Sequence, residues 1–361
     1  MTLHRPQPGI MQIALYQGGK SKIAGRDEVL KLSSNENPLG VPRAARQAIV
    51  EAAGQVHLYP STDHAALRHA IGEVHGLDPD RIICGVGSDE VLQFVTQAYA
   101  GPGDEIIHTA HGFSMYPVLT HMAGATPVVV PEADRVVDID AILDAVTERT
   151  RIVLLTNPGN PTGTLLPDAD LQRLADSLPE RVILVIDAAY AEYAEGYDGG
   201  AALATERPNV LMTRTFSKIY GLGGLRIGWG YACHDIIEVL TRLRQPFNLS
   251  ELQMSAAEAA LRDPRWCRDC AALNREQRAR LTSALHRLGI ACDESRTNFV
   301  LARFADAAEA EAADTALQGE GILVRAVGGY GFPEGLRITV GNAEQTGRVI
   351  DALTRWREAG A

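Results

Sequence analysis

The sequence predicts an α/β protein: a large domain whose mixed, mostly parallel sheet is sandwiched by helices, followed by a smaller α+β domain. Three observations lead there. From about residue 80 to 230, short β-rich runs alternate with segments of helical periodicity, and strands alternating with helices form parallel sheets covered on both faces. One of the runs, Val182–Ile186, is continuously apolar, as a central parallel strand must be. The chain has 361 residues, 46% of them hydrophobic, and a single core stops growing near ~250–300 residues, so this length calls for a second lobe.

Residues 1–40 are rich in Gly and Pro and read as an arm rather than a domain. Residues 41–262 form the large domain. Its candidate strands are Arg81–Cys84, Glu105–His108, Thr126–Val130, Arg151–Leu155, Arg181–Ile186 and Asn209–Thr213. Between them, Val91–Ala100, Asp140–Glu148 and Asp168–Leu178 carry the 3.6-residue period of helices. Residues 263–361 form the smaller domain. A long helix at Asn274–Leu288 precedes strands at Asn298–Ala302, Ile322–Val327 and Leu336–Val340, with a surface helix at Ala305–Ala316 and a closing helix at Glu344–Trp356.

Composition excludes several functions. Net charge is −11 with no basic block, which argues against a nucleic-acid reader. No apolar run reaches the ~18 residues of a membrane span, and MTLHRPQPGI has no apolar signal-peptide core, so a cytoplasmic protein is expected. Five cysteines in a long chain are not a disulfide framework. Cys267 and Cys270 form a CxxC with no second pair, so they read as neighbours on a helix rather than zinc ligands. No metal site is expected.

One bias is informative. Of 34 basic residues, only Lys20, Lys22, Lys31 and Lys218 are lysine. Past residue 31 the chain uses Arg for every positive charge but one. A guanidinium stays protonated, whereas a lysine can lose its proton and attack a carbonyl. Lys218 therefore marks a place where amine chemistry is wanted.

Ligands of open α/β sheets bind beyond the carboxyl ends of the strands, and polar residues gather at four such ends. Asp187 closes one strand, with Tyr190 just after it. Asn160 lies in Asn157-Pro-Gly-Asn-Pro-Thr-Gly163, Lys218 in Thr215-Phe-Ser-Lys218, and Gly85-Val-Gly-Ser-Asp-Glu90 opens a helix. Each alone has an ordinary explanation: a cap for Asp187, turn chemistry for Asn157–Gly163, a capped helix start for Gly85–Glu90. Gly221-Leu-Gly-Gly-Leu-Arg226 fails as a dinucleotide fingerprint because Arg226 takes the sixth position.

Together the residue types suit pyridoxal phosphate. A carboxylate beside the pyridine nitrogen keeps it protonated, worth about 4 kcal/mol at ~4 Å and an effective dielectric of ~20; Asp187 fills that part. Asn160 and Tyr190 can donate to the ring's phenolic oxygen. The phosphate suits the helix start at Ser88 and Asp89, with Thr215, Ser217 and Arg226 nearby.

Asn160-Pro-Thr-Gly163, Asp187-Ala-Ala-Tyr190 and Ser217-Lys218 through Arg226-Ile-Gly228 resemble the fold-type I pyridoxal-phosphate aminotransferases over nearly the whole chain. Lys31-Leu-Ser-Ser-Asn35-Glu-Asn-Pro-Leu-Gly40, Phe113-Ser-Met-Tyr116, Gly321-Ile-Leu-Val-Arg325 and Gly329 through Arg337-Ile-Thr-Val-Gly341 are most similar to the histidinol-phosphate branch of that superfamily. The resemblance implies a homodimer that transaminates L-histidinol phosphate with 2-oxoglutarate, giving imidazole-acetol phosphate and L-glutamate. It implies Lys218 as the cofactor-holding amine and general acid–base, Phe113 stacked on the ring, and Tyr59 reaching the neighbouring subunit's cofactor phosphate. Arg325 and Arg337 would bind the substrate anion, with Tyr16 and Asn35 closing the site and the arm packing on the small domain or the partner. Alternation on Leu336–Val340 independently puts Arg337 and Thr339 on one face. The same fold would also serve an aromatic amino-acid aminotransferase, an amino-acid-phosphate decarboxylase or a cofactor-binding regulator; a regulator would need a DNA-binding domain that the arm does not resemble. The sequence departs from the family at Gly159, at Ala110-His111, and in lacking a proline before Tyr16.

Overall fold

A computed structural model of the protein describes residues 4, 6–15, 18–19, 21–26 and 28–360. The first strand, β1 (Leu30–Lys31), belongs with the C-terminal lobe. The main sheet takes β2 (Ile82–Gly85), β3 (Glu105–Thr109) and β4 (Thr126–Val130). A small hairpin, β5 (Glu132–Ala133) and β6 (Val136–Val137), follows. The sheet resumes with β7 (Thr150–Thr156), β8 (Ile183–Asp187), β9 (Val210–Thr215) and β10 (Gly228–Tyr231). Its order is β2-β10-β9-β8-β7-β3-β4. All pairs are parallel except those of β10, which runs against both neighbours.

The apolar runs are buried on both sides because helices cover both faces. Val153, Leu155, Leu184 and Ile186 enter one apolar layer, and Ile152, Leu154, Ile183 and Val185 enter the other. Asp187 ends a strand in which every residue is buried.

All six strands read from the sequence are present. The seventh, β10, has no β-rich signature, since two of its four residues are glycine. The glycines are there because the helix Gly87–Tyr99 lies directly on this strand. A β-carbon on Gly228 would fall 2.3 Å from Ser88 N, and one on Gly230 would fall 2.7 Å from Val91 Cγ1. Glycine inside a strand often marks such close approach. The helix expected at Asp140–Glu148 is shorter, Ile139–Asp144.

The C-terminal lobe holds β11 (Phe299–Arg303), β12 (Ile322–Leu323), β13 (Arg325–Val327) and β14 (Phe332–Thr339). Strands β11, β14 and β13 form an antiparallel sheet, while β12 pairs in parallel with β1. The single strand expected at Ile322–Val327 is thus two short ones with different partners. Leu30 and Leu32 pack in this lobe's core beside Leu285, Ile322 and Ile338. The long helix starts at Pro264, ten residues before its expected start, and runs to Arg287. Asp263 caps it by accepting from Trp266 N, and proline in the first turn is a recognised start signal. Cys267 and Cys270 are free thiols on this helix, and among the described residues no three metal-ligating side chains cluster.

Gly228→Ala should destabilise the protein by about 2–3 kcal/mol, the usual cost of forced overpacking, because strand and helix cannot both keep their places. Urea unfolding monitored by circular dichroism measures it.

Candidate active site

Three parallel strands end side by side: Thr156 on β7 lies opposite Asp187 on β8, and Asp187 opposite Thr213 on β9. Because β10 is reversed, its first residue, Gly228, meets both Thr215 and Gly85 at this same edge. The chain therefore delivers Arg226 to the place where β2, β8 and β9 release Ser88, Asp187 and Lys218. These side chains line one cavity with Asp89, Phe113, Asn160, Tyr190, Thr215 and Ser217. Asn35, Arg325 and Arg337 close its far side from the arm and the C-terminal lobe.

Asp187 is 4% exposed. Its Oδ1 accepts from the Thr213 hydroxyl at 3.2 Å and its Oδ2 from Tyr116 at 3.4 Å. Burial, reinforced by the nearby Asp89 charge, pushes its carboxyl up to about 7. Burial and then the Arg337 charge lower the Lys218 amine to about 8, so far more of it is free base near neutrality than for an ordinary lysine. Lys218 Nζ stands 5.7 Å from the centre of the Tyr190 ring. The Tyr190 hydroxyl accepts from Asn35 Nδ2 at 2.9 Å, and burial raises its pKa.

One end of the cavity is a cluster of donors. Arg226, at φ 52°, reaches Asp89 Oδ2 at 2.9 Å and Ser217 Oγ at 3.1 Å. The Thr215 hydroxyl donates to Ser217 Oγ at 3.0 Å and accepts from Ser217 N at 3.1 Å. Gly87, at φ 76°, opens the helix here, and a β-carbon on it would sit 2.7 Å from Arg226 Nη2. The other end is guanidinium-lined. Arg337 donates to Asn160 Oδ1 at 2.6 Å and to Ser33 O at 3.1 Å, and Arg325 faces it across β13 and β14. Asn35, at φ 57°, donates from its backbone to Thr339 Oγ1 at 3.0 Å, which ties the arm to the face of β14 that carries Arg337.

Of the residues read from the sequence, Tyr59 is not at this cavity. It is 83% exposed and stacks on Phe247 at 4.6 Å between ring centres. Tyr16 lies outside the described residues. Sequence reasoning missed the parts played by Thr156, Tyr330 and Tyr116, although Tyr116 stood in the Phe113-Ser-Met-Tyr116 run. Phe113 lies just before the helix that carries Tyr116, and their rings meet edge-to-face at 5.8 Å. The Tyr116 hydroxyl lies 2.6 Å from Thr156 Oγ1 as well as touching Asp187. The departures also find their places. His111 Nδ1 is 2.7 Å from the Tyr330 carbonyl and its ring packs on Phe332, so it joins the pocket wall to the C-terminal lobe. At Gly159 a β-carbon would come within 2.4 Å of Thr162 Oγ1, so this loop conformation has no room for a larger residue.

Comparisons with known proteins identify the family. Residues 27–353 match the family model for aminotransferase class I and II. The histidinol-phosphate aminotransferase of Ruegeria pomeroyi is 64% identical, with all of both chains covered. That of Paracoccus denitrificans is 57% identical over 98% of this chain and 96% of its own. The crystal structure of histidinol-phosphate aminotransferase from Sinorhizobium meliloti, in complex with pyridoxal-5'-phosphate, superposes with a TM-score of 0.91 at 27% identity, covering 100% of this chain and 99% of that one. The chain belongs to the class I and II aminotransferases, and within them to the histidinol-phosphate aminotransferases.

Proposed function

We propose that the protein is a pyridoxal-phosphate-dependent transaminase that exchanges the amino group of L-histidinol phosphate with 2-oxoglutarate, giving imidazole-acetol phosphate and L-glutamate in histidine biosynthesis. The observation that carries this is one cavity that gathers the Lys218 amine and the buried Asp187 carboxyl, the Arg226 donor cluster, and the guanidinium groups of Arg325 and Arg337.

The residues fit the cofactor. Asp187 forms no salt bridge among the described residues, yet it is held by Thr213 and Tyr116 in a buried site; a cationic ring nitrogen would complete it. Arg226, Thr215, Ser217 and the helix start at Ser88 and Asp89 would take the phosphate, and Gly87 keeps a β-carbon off Arg226 Nη2. Phe113 would stack on the ring, and Asn160 and Tyr190 would donate to its phenolic oxygen.

When bound, pyridoxal phosphate supplies an aldehyde that takes up the substrate's amino group and a ring that accepts the electron pair released with the Cα proton. Lys218 Nζ, its basicity lowered by burial and by Arg337, would hold the cofactor before substrate arrives and then take the proton from substrate Cα. Asp187 would keep a proton on the ring nitrogen. Asn35 holds the Tyr190 hydroxyl in place through its amide. Arg325 and Arg337 bind the phosphate of one substrate and the distal carboxylate of the other, since a guanidinium fork suits both.

The chain divides in this reading into an arm (1–40), a large cofactor-binding domain (41–262) and a small domain (263–361). It works as a homodimer. Val56, Leu58, Tyr59 and Phe247 form an exposed apolar strip, which a second copy would cover so that Tyr59 meets the partner's cofactor phosphate. Five free cysteines suit a reducing cytoplasm, and among the described residues no helix is long and apolar enough to cross a membrane.

Three experiments test these assignments. Anaerobic addition of histidinol phosphate should bleach the cofactor's visible band rapidly, phenylalanine should bleach it little, and Lys218→Arg should show neither response nor turnover. A preference for phenylalanine would instead make the protein an aromatic aminotransferase. In the cofactor-free protein, Asp187 keeps a proton that the unfolded chain releases, so stability falls as pH rises from about 4 to about 7. Asp187→Asn should therefore stabilise the cofactor-free protein at pH 7 by ~4 kcal/mol and gain nothing at pH 4, while turnover drops by about 10²-fold or more. Finally, mixing the Tyr59→Ala and Lys218→Arg variants under subunit exchange should restore activity that neither has alone, because one site of the mixed dimer then has both groups intact.

A further inference from the structure

The hairpin of β5 and β6 turns through Asp134 and Arg135, both at positive φ, 47° and 64°. Two successive left-handed residues make the tight hairpin turn that Asn-Gly or Asp-Gly normally fills. An arginine held there is strained, and such strain persists only where the surroundings impose it. Here the surroundings are in the other lobe. Arg135 grips Asp293 with two parallel bonds, Nε to Oδ2 at 2.5 Å and Nη2 to Oδ1 at 2.9 Å. Arg303 reaches the same Oδ1 at 3.3 Å, and all three side chains are largely buried.

The clasp is one link of a closed ring around the loop that carries Asn160. The Arg135 carbonyl accepts from the Thr164 hydroxyl at 2.7 Å. The Thr164 carbonyl in turn accepts from Gly159 N at 2.8 Å. On its other side, the loop's Gly163 carbonyl accepts from Arg296 N at 2.7 Å, three residues along from Asp293. The space behind Asn160, bounded by Glu132, Arg135, Asn157 and Thr162, is only about 10 Å³, room for one water at most. The loop's first residue, Asn157, is held separately by Asp187 O and by Leu166, and its second half is joined to the C-terminal lobe beside the clasp.

We propose that Arg135 and Asp293 are positioning residues for Asn160. By locking the hairpin tip to the C-terminal lobe, they fix the Asn157–Gly163 loop so that Asn160 Oδ1 meets Arg337 and its amide nitrogen is left to donate to the cofactor. This rests on the reading of Asn160 as a cofactor ligand, so that ligand is tested alongside.

Two variants open the ring from different sides: Arg135→Asn, whose asparagine tolerates positive φ, and Thr164→Val. The measurements are the cofactor's dissociation constant and the pH midpoint of its visible band in the holoenzyme, with melting of the cofactor-free protein as the structural control. Each variant should weaken cofactor binding by about five- to tenfold and move the pH midpoint in the same direction as Asn160→Ala. The double variant should be no worse than the weaker-binding single one, as expected for two links of one ring. If Asn160→Ala changes neither quantity, the ligand reading falls and the clasp proposal with it. If Asn160→Ala changes both while the two ring variants lower only the melting temperature, or their effects on binding multiply, the clasp proposal alone is overturned.

Discussion

A carboxylate at the end of a wholly buried strand is the constraint around which this site is built. Strand β8 carries Ile183 to Ile186 through the middle of the sheet and then presents Asp187, which among the described residues forms no salt bridge. Burying an unpaired charge is unfavourable enough that the group would sooner hold a proton. The neighbours soften this without removing it, since Thr213 and Tyr116 each give one neutral hydrogen bond. Lys218 is the mirror case, an amine made less basic by the same burial. A site with an acid and a base both pushed toward neutrality is poised to exchange protons near physiological pH, and a cationic ring between them would relieve the acid's side of that tension.

The C-terminal lobe and the arm do more than cover the cavity. Arg337 bonds to Asn160, a residue of the large body, and to Ser33, a residue of the arm. Asn35 bonds to Tyr190 on one side and to Thr339 on the other. The large body, the arm and the C-terminal lobe are therefore joined at the cavity by direct hydrogen bonds. The same lobe reaches the large body a second time through Asp293 and the hairpin tip at Arg135.

Much of this was legible in the sequence, for physical reasons. Buried parallel strands must be apolar throughout, so the runs ending at Leu155, Ile186 and Thr213 stood out, and the polar residues just past them together marked the ligand-binding edge. Strand β10 was hidden because its glycines answer to the helix lying on it rather than to strand propensity. The split of Ile322–Val327 into two strands was hidden because its first half pairs with Leu30–Lys31, a partner that no local pattern announces. Tyr116 was read as part of a motif but not as a neighbour of Asp187, since that contact depends on how the helix Met115–Met122 packs against the ends of β7 and β8. The clasp at Arg135 was invisible for a related reason: its turn is built from residues that do not favour it, and the compensation comes from the other end of the chain.

The pairing of Leu30–Lys31 with Ile322–Leu323 also bears on how the molecule is made. Leu30 and Leu32 are made long before Ile338 and Val349, yet all four share one core. The large sheet, built from consecutive strands, can collapse while synthesis continues. The smaller lobe must wait with Leu30–Lys31 unpartnered until Ile322–Leu323 has been made. The segments around Leu30 and Ile338 thus share a single folding event, and losing either one would undo the same structure.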